Sequence, residues 1–134
     1  MKILVAYDGS AEAKLALARS AEIAKLEAAE VAVISVVPIT VGVRGGAIDP
    51  TSNVDDHRAQ LAEAVASLAA LGVTARSIES VGHPADAIVH TAEQEGTDLI
   101  VIGSRGHGAV QRFLMGSVST RVSQHAPCNV YIAR

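Results

Sequence analysis

Asp98-Leu99-Ile100-Val101-Ile102-Gly103-Ser104-Arg105-Gly106-His107-Gly108-Ala109-Val110-Gln111-Arg112-Phe113-Leu114-Met115-Gly116-Ser117-Val118-Ser119 is the stretch whose reading decides the fold. Leu99 to Ile102 is an unbroken apolar run with the length and branching of a buried strand, and it stops at Gly103. A second turn, Gly116-Ser117, opens a segment from Val118 to His125 that reads as a short helix. Glycine lets backbone N–H groups approach a ligand closely, and a helix N-terminus carries unpaired donors with partial positive charge. Ser117 and Ser119 add hydroxyls and Arg105 adds a guanidinium, so the residue types suit a polyphosphate. The same glycines also serve plain chain turns, and residue types alone leave both readings open.

The same grammar recurs upstream. Ile3 to Tyr7 is apolar and runs into Asp8-Gly9-Ser10, a strand meeting a turn, with Ser10 placed to cap a helix that continues to about Glu27. Leu15, Ala18, Ile23 and Leu26 are the expected apolar positions of that helix. Val31 to Val37 is the next strand, apolar on both faces apart from Ser35. Ile39 to Val54 holds no period and reads as a long connection, followed by a helix from Asp55 to Leu71 with Leu61, Val65 and Leu68 on one face. Val73 to Val81 alternates with polar residues, which places it at a sheet edge. Pro84 opens another helix that Gly96 ends, and Asn129 to Ala133 closes the chain as a strand.

Strand and helix thus alternate about five times, the pattern of a doubly wound α/β parallel sheet with helices on both faces. In such sheets ligands bind beyond the carboxyl ends of the strands, where strand order reverses. If the first and fourth strands are neighbours, Asp8 and Gly103 face one crevice, and Asp8 can accept from a ribose hydroxyl or help hold a cation on phosphates. Its other role is to fix the turn with Gly9 and Ser10, and the two are compatible.

Composition narrows the function classes. A chain of 134 residues, 49% hydrophobic and 19% charged, suits a single domain over residues 1–134. A net charge of −3 without a basic run argues against a nucleic-acid partner, and three aromatic residues offer no stacking platform for bases. No leader or membrane-length apolar stretch is seen and the one cysteine, Cys128, cannot pair internally, so a cytoplasmic protein without a membrane partner is expected. Cys128, after Pro127 in an apolar run, reads as a buried inert thiol. Familiar phosphate sites fail on their own requirements. No Gly-Lys pair exists for a P-loop, and Gln111 stands where the dinucleotide fingerprint needs its third glycine. Asp8 lacks the acidic neighbour of a phosphoacceptor, and no Gly-x-Ser-x-Gly occurs.

Gly103-x2-Gly106-x9-Gly116-Ser117, preceded by Asp-Leu-Ile-Val-Ile and followed by Val-Ser-x-Arg-Val-x-x-x-Ala-Pro-Cys, resembles the signature of the universal stress protein family. Ile-Leu-Val-Ala-Tyr-Asp-Gly-Ser resembles that family's first strand and turn, so the likeness spans essentially the whole chain. The resemblance implies a five-stranded parallel sheet of order 3-2-1-4-5, in agreement with the edge placement of the third strand. It further implies an ATP site, with Mg2+ as companion ion. Asp8 would meet the ribose and assist the Mg2+, and the Val36 backbone would meet the adenine edge. Gly103, Arg105 and Gly106 would line ribose and phosphates, and Gly116, Ser117, Val118 and Ser119 would wrap the phosphate tail. Ala11, Ser35 and Asn129 depart from the family's usual proline, histidine and proline.

The resemblance also implies a homodimer joined through the last strand, whose residues Val130-Tyr131-Ile132 would otherwise be a bare apolar edge. Two readings of function follow. One is an adenine-nucleotide-dependent stress-response regulator with an unknown protein partner and no catalytic residue. The other is a slow ATPase or self-phosphorylating enzyme using Ser117 or Ser119; an empty dimerising scaffold stands third.

Overall fold

A computed structural model describes residues 1–39, 51–105 and 115–134, with residues 51–53 described as backbone alone. The glycines at 106 and 108, and the part of the long connection from 40 to 50, lie outside the described residues. The elements run β1 (Lys2–Ala6), α1 (Ala11–Glu27), β2 (Glu30–Pro38), α2 (Thr51–Ala70), β3 (Ala75–Gly82), α3 (Pro84–Glu95), β4 (Leu99–Gly103), α4 (Ser117–His125) and β5 (Asn129–Ala133). They build one five-stranded sheet in the order β3-β2-β1-β4-β5, with every pairing parallel. The expected doubly wound α/β class and the edge position of the third strand both hold. Order reverses between β1 and β4, so the crevice expected there lies between Asp8 and Gly103.

Alternation along each strand sorts the core into two layers. Ile3 and Val5 of β1 and Tyr7 just after it, with Val31 and Val33 of β2, pack beneath α1 and α2. Leu4, Ala6, Ala32, Ile34, Ile100 and Ile102 face α3 and α4, where Ile88 and Val122 meet them. Central strands covered on both sides explain the unbroken apolar runs of β1, β2 and β4.

Two local expectations shift. Helix α2 begins at Thr51, four residues before the expected Asp55, so Thr51 to Val54 belong to the helix rather than to the connection. Ser, Thr and Asn there look like loop composition but are equally at home in a helix's first turn. In α1 the buried face is Ala13, Ala16, Leu17, Ser20, Ala21 and Ala24, while Leu26 is 85% exposed. Alanine on that face lets the helix ride close to the sheet. The closeness is sharpest at Gly103, where an added Cβ would lie 2.7 Å from the carbonyl carbon and Cβ of Glu12.

Capping sets the ends of α1. Ser10 Oγ accepts from the Ala13 N–H at 3.1 Å, as expected of an N-cap. The C-terminal end turns through Ala28 in the left-handed region, φ 51°, where its N–H donates to the Ala24 carbonyl. Opposite stability effects should therefore follow from two swaps between glycine and alanine. Gly103→Ala should lower unfolding free energy by about 1–3 kcal/mol through overpacking against Glu12. Ala28→Gly should raise it by about 0.5–1 kcal/mol by relieving the left-handed residue. Urea unfolding of the two variants checks both signs.

Candidate functional site

The site is assembled at the carboxyl end of the sheet, and its central joint is Ser104, which is buried just past β4. The Ser104 N–H donates to the Ala133 carbonyl at the end of β5, 2.7 Å away. Its own carbonyl accepts twice, from the Gly116 N–H at 2.6 Å and from Ser119 Oγ at 2.8 Å. The second glycine turn is thereby tied to the first, although Gly116 lies 12 positions beyond Ser104 in the chain. The convergence expected of Gly103 and Gly116 is realised through a carbonyl that no glycine motif marks.

Helix α4 starts from this joint. Gly116 is its N-cap, no side chain caps it, and its first turn holds no acidic residue. The leading N–H groups of Ser117, Val118 and Ser119 form the donor array expected of an anion site. Their side chains differ in use. Ser117 is exposed, and Val118 packs on the α3–α4 side of the core. Ser119 is 2% exposed and its hydroxyl is shared between the carbonyls of Ser104 and Gly116, so its backbone rather than its hydroxyl faces a ligand role.

Across the crevice, the turn after β1 has the opposite electrical character. Asp8 Oδ1 accepts from the Ser10 N–H at 2.9 Å, and Gly9 takes the left-handed φ of 82° that the turn requires. Asp8 thus fixes the turn as expected. Glu12 stands in the first turn of α1, and its Oε1 lies 2.8 Å from Arg105 Nη2. This ion pair bridges the turn after β1 to the turn after β4. The chain therefore offers a donor array on the α4 side and carboxylates on the α1 side, a polarity suited to phosphate and ribose respectively.

Val36 owes its place to register. Ile34 pairs with Ala6, and the Ile34 carbonyl accepts from the Tyr7 N–H at 3.0 Å, so the backbone groups of Ile34 point toward β1. In a parallel strand that direction repeats every second residue. The N–H and C=O of Val36 thus point to the same side, past the place where β1 has turned away at Asp8. A donor and an acceptor next to one another suit a base edge. No sequence motif marks them, but the lengths of the two strands do.

Behind Val36, buried Ser35 directs its Oγ toward α2, 2.6 Å from His57 Nδ1. Where the family's usual histidine is absent from the strand, an imidazole reaches the strand end from the neighbouring helix. Tyr7 lies on the same layer and its hydroxyl donates to Glu63 Oε1 at 3.4 Å. Cys128 is partly buried against the α3–α4 layer, and burial pushes its thiol up, in keeping with an unreactive role. Among the described residues, no group of three or more His, Cys, Asp or Glu side chains could hold a metal ion. Asp8 alone would contribute to a cation only if ligand phosphates supplied the other oxygens.

Similarity to known proteins was found along the full chain. The model of the universal stress protein family matches residues 1–134. The universal stress protein YxiE of Bacillus subtilis is 35% identical over 145 aligned positions, covering 99% of this chain and 98% of the relative. The structure of a universal stress protein from Archaeoglobus fulgidus in complex with dAMP superposes with a TM-score of 0.78 at 28% identity, covering 100% of this chain and 98% of that one. That of a universal stress protein in complex with cAMP gives 0.79 at 25% identity, with 100% and 97% covered.

Burial raises the Tyr7 phenol above its ordinary value of 10.0, with Glu63 and then Asp8 adding to the effect. The folded chain holds this proton more tightly than the unfolded chain. The associated stability is therefore present below the ordinary value and is lost as pH rises through the folded value. In a Tyr131→Phe background, phenolate absorbance should appear above the ordinary tyrosine range, with a parallel fall in urea stability. Ionisation at the ordinary value would remove the burial and the Glu63 contact as its determinants.

Proposed function

This chain belongs to the universal stress protein family, and we propose that it binds an adenine nucleotide in the crevice at the carboxyl ends of β1, β2 and β4. The observation that carries the reading is the acid-free N-terminus of α4, without a side-chain cap and locked beside Gly103 by the Ser104 carbonyl at the carboxyl end of the sheet. Two similar proteins whose structures contain dAMP and cAMP support the same ligand class.

In this reading the α4 N–H groups of Ser117, Val118 and Ser119, with Gly116, take the phosphates, and Arg105 flanks them. Asp8 accepts from the ribose, and the Val36 backbone reads the adenine edge. Gly103 serves first to admit α1, since its missing Cβ makes room for Glu12, and so keeps the crevice floor low. ATP fits this arrangement with Mg2+ arriving on its phosphates and Asp8 adding an oxygen, as do smaller adenosine phosphates.

The protein then acts as a single-domain, nucleotide-dependent regulator of the stress response in the cytoplasm, working through a protein partner. Among the described residues no helix is long and apolar enough to cross a membrane. The outer edge of β5, next to β4 at the end of the sheet, is where a second copy would pair to make a homodimer. A regulator is favoured over a self-phosphorylating enzyme because the Ser119 hydroxyl is buried and committed to two carbonyls, which leaves exposed Ser117 as the acceptor such chemistry would need.

Ser117→Asp separates folding from binding. A carboxylate at the first position of α4 complements the helix dipole and should leave the melting temperature unchanged or slightly raised. The same charge sits where phosphate is proposed to lie, and nucleotide affinity should fall by about tenfold or more. Calorimetric titration with cAMP and with ATP plus Mg2+ checks it, and unchanged affinity would move the phosphate site away from α4.

A further inference from the structure

Arg105 already holds an anion in this chain. Its Nη2 lies 2.8 Å from Glu12 Oε1, and the two side chains are only 26% and 22% exposed. Glu12 is also pinned. Its backbone and Cβ occupy the space that the missing Cβ of Gly103 leaves, and the helix that carries it is capped by Ser10, two residues earlier. A phosphate that reaches Arg105 must therefore share the guanidinium with this carboxylate or displace it from the pair.

Among the described residues the first turn of α4 carries no acid, whereas Glu12 and Asp8 stand on the α1 side. Repulsion between a fixed carboxylate and a ligand grows with the negative charge the ligand brings, and partial burial weakens the screening by solvent. A single phosphate group brings little negative charge to this ion pair. A long phosphate tail crowds the same ion pair with several charges.

Resting on the adenine-nucleotide reading above, we propose that Glu12 is a specificity-determining residue that sets the charge selectivity of this site. It pairs with Arg105 and penalises ligands in proportion to their negative charge. The site accordingly takes a mono- or cyclic adenosine phosphate, and takes a triphosphate only when a divalent cation offsets its charge.

The test titrates the wild-type chain and Glu12→Gln with three ligands in rising order of negative charge: cAMP, ATP with Mg2+, and ATP in EDTA. The wild-type chain should bind cAMP more tightly than metal-free ATP. Glu12→Gln keeps the side chain's size and should tighten metal-free ATP by about tenfold, Mg-ATP by less, and cAMP by less than about twofold. A role in folding alone would move all three together. Equal changes for the three ligands, or none, overturn the role of Glu12 while leaving the nucleotide site standing. Tighter wild-type binding of metal-free ATP than of cAMP overturns it too, whether or not the variant folds. Failure of the wild-type chain to bind any of the three overturns the adenine-nucleotide reading together with the selectivity built on it.

Discussion

The contact between Gly103 and the first turn of α1 is the constraint that the rest of the structure obeys. A side chain at the end of β4 would strike Glu12 at 2.7 Å, so the strand must end in glycine for the helix to sit where it does. The same closeness explains why α1 buries alanines, for a face of larger residues would lift the helix off the sheet. It also fixes where Glu12 stands, and hence that Arg105, two residues beyond Gly103, finds a carboxylate waiting. Packing, electrostatics and the shape of the crevice descend from one missing methyl group.

The two helices that meet the crevice are finished differently. Helix α1 is closed by Ser10, with Asp8 closing the turn before it, and carries Glu12 in its first turn. Helix α4 starts from a bare glycine held by the Ser104 carbonyl and is left without a cap or an acid. Capping costs a helix start its capacity to bind an external anion, because the same N–H groups serve both. The chain has satisfied one start with its own side chains and left the other without a side-chain cap. That division gives the crevice a direction, which a symmetrical pair of glycine turns would lack.

Much of this was legible in the residues, and the exceptions have physical causes. The apolar runs of β1, β2 and β4 disclose strands covered on both faces, and the polar alternation of β3 discloses an edge. Ser10, Gly96 and Pro84 mark helix ends because their backbone and side-chain chemistry acts locally. Leu26 is hydrophobic yet exposed, because clearance above the sheet selects the smaller alanines for the buried face. Helix α2 starts four residues before the position its composition suggests, because Ser, Thr and Asn suit both loops and first turns. In the site, Asp8, Gly103 and Gly116 carry motif signals. Ser104 and Val36 act through backbone atoms, which leave no trace in side-chain identity, and Glu12 meets Arg105 across 93 residues of sequence. The pairing of Ser35 with His57 is likewise tertiary, joining a strand to a helix that follows it.

The clasp at Ser104 has a consequence for how such a chain can vary. One carbonyl joins the end of β4 to the start of α4, so the sheet end and the helix start are positioned by each other rather than by the segment that links them. Closing a longer link costs little, about 0.6 kcal/mol for each doubling of its length. The intervening residues are in that sense modular. Their number can change, by evolution or by design, while the sheet end and the helix start stay in register.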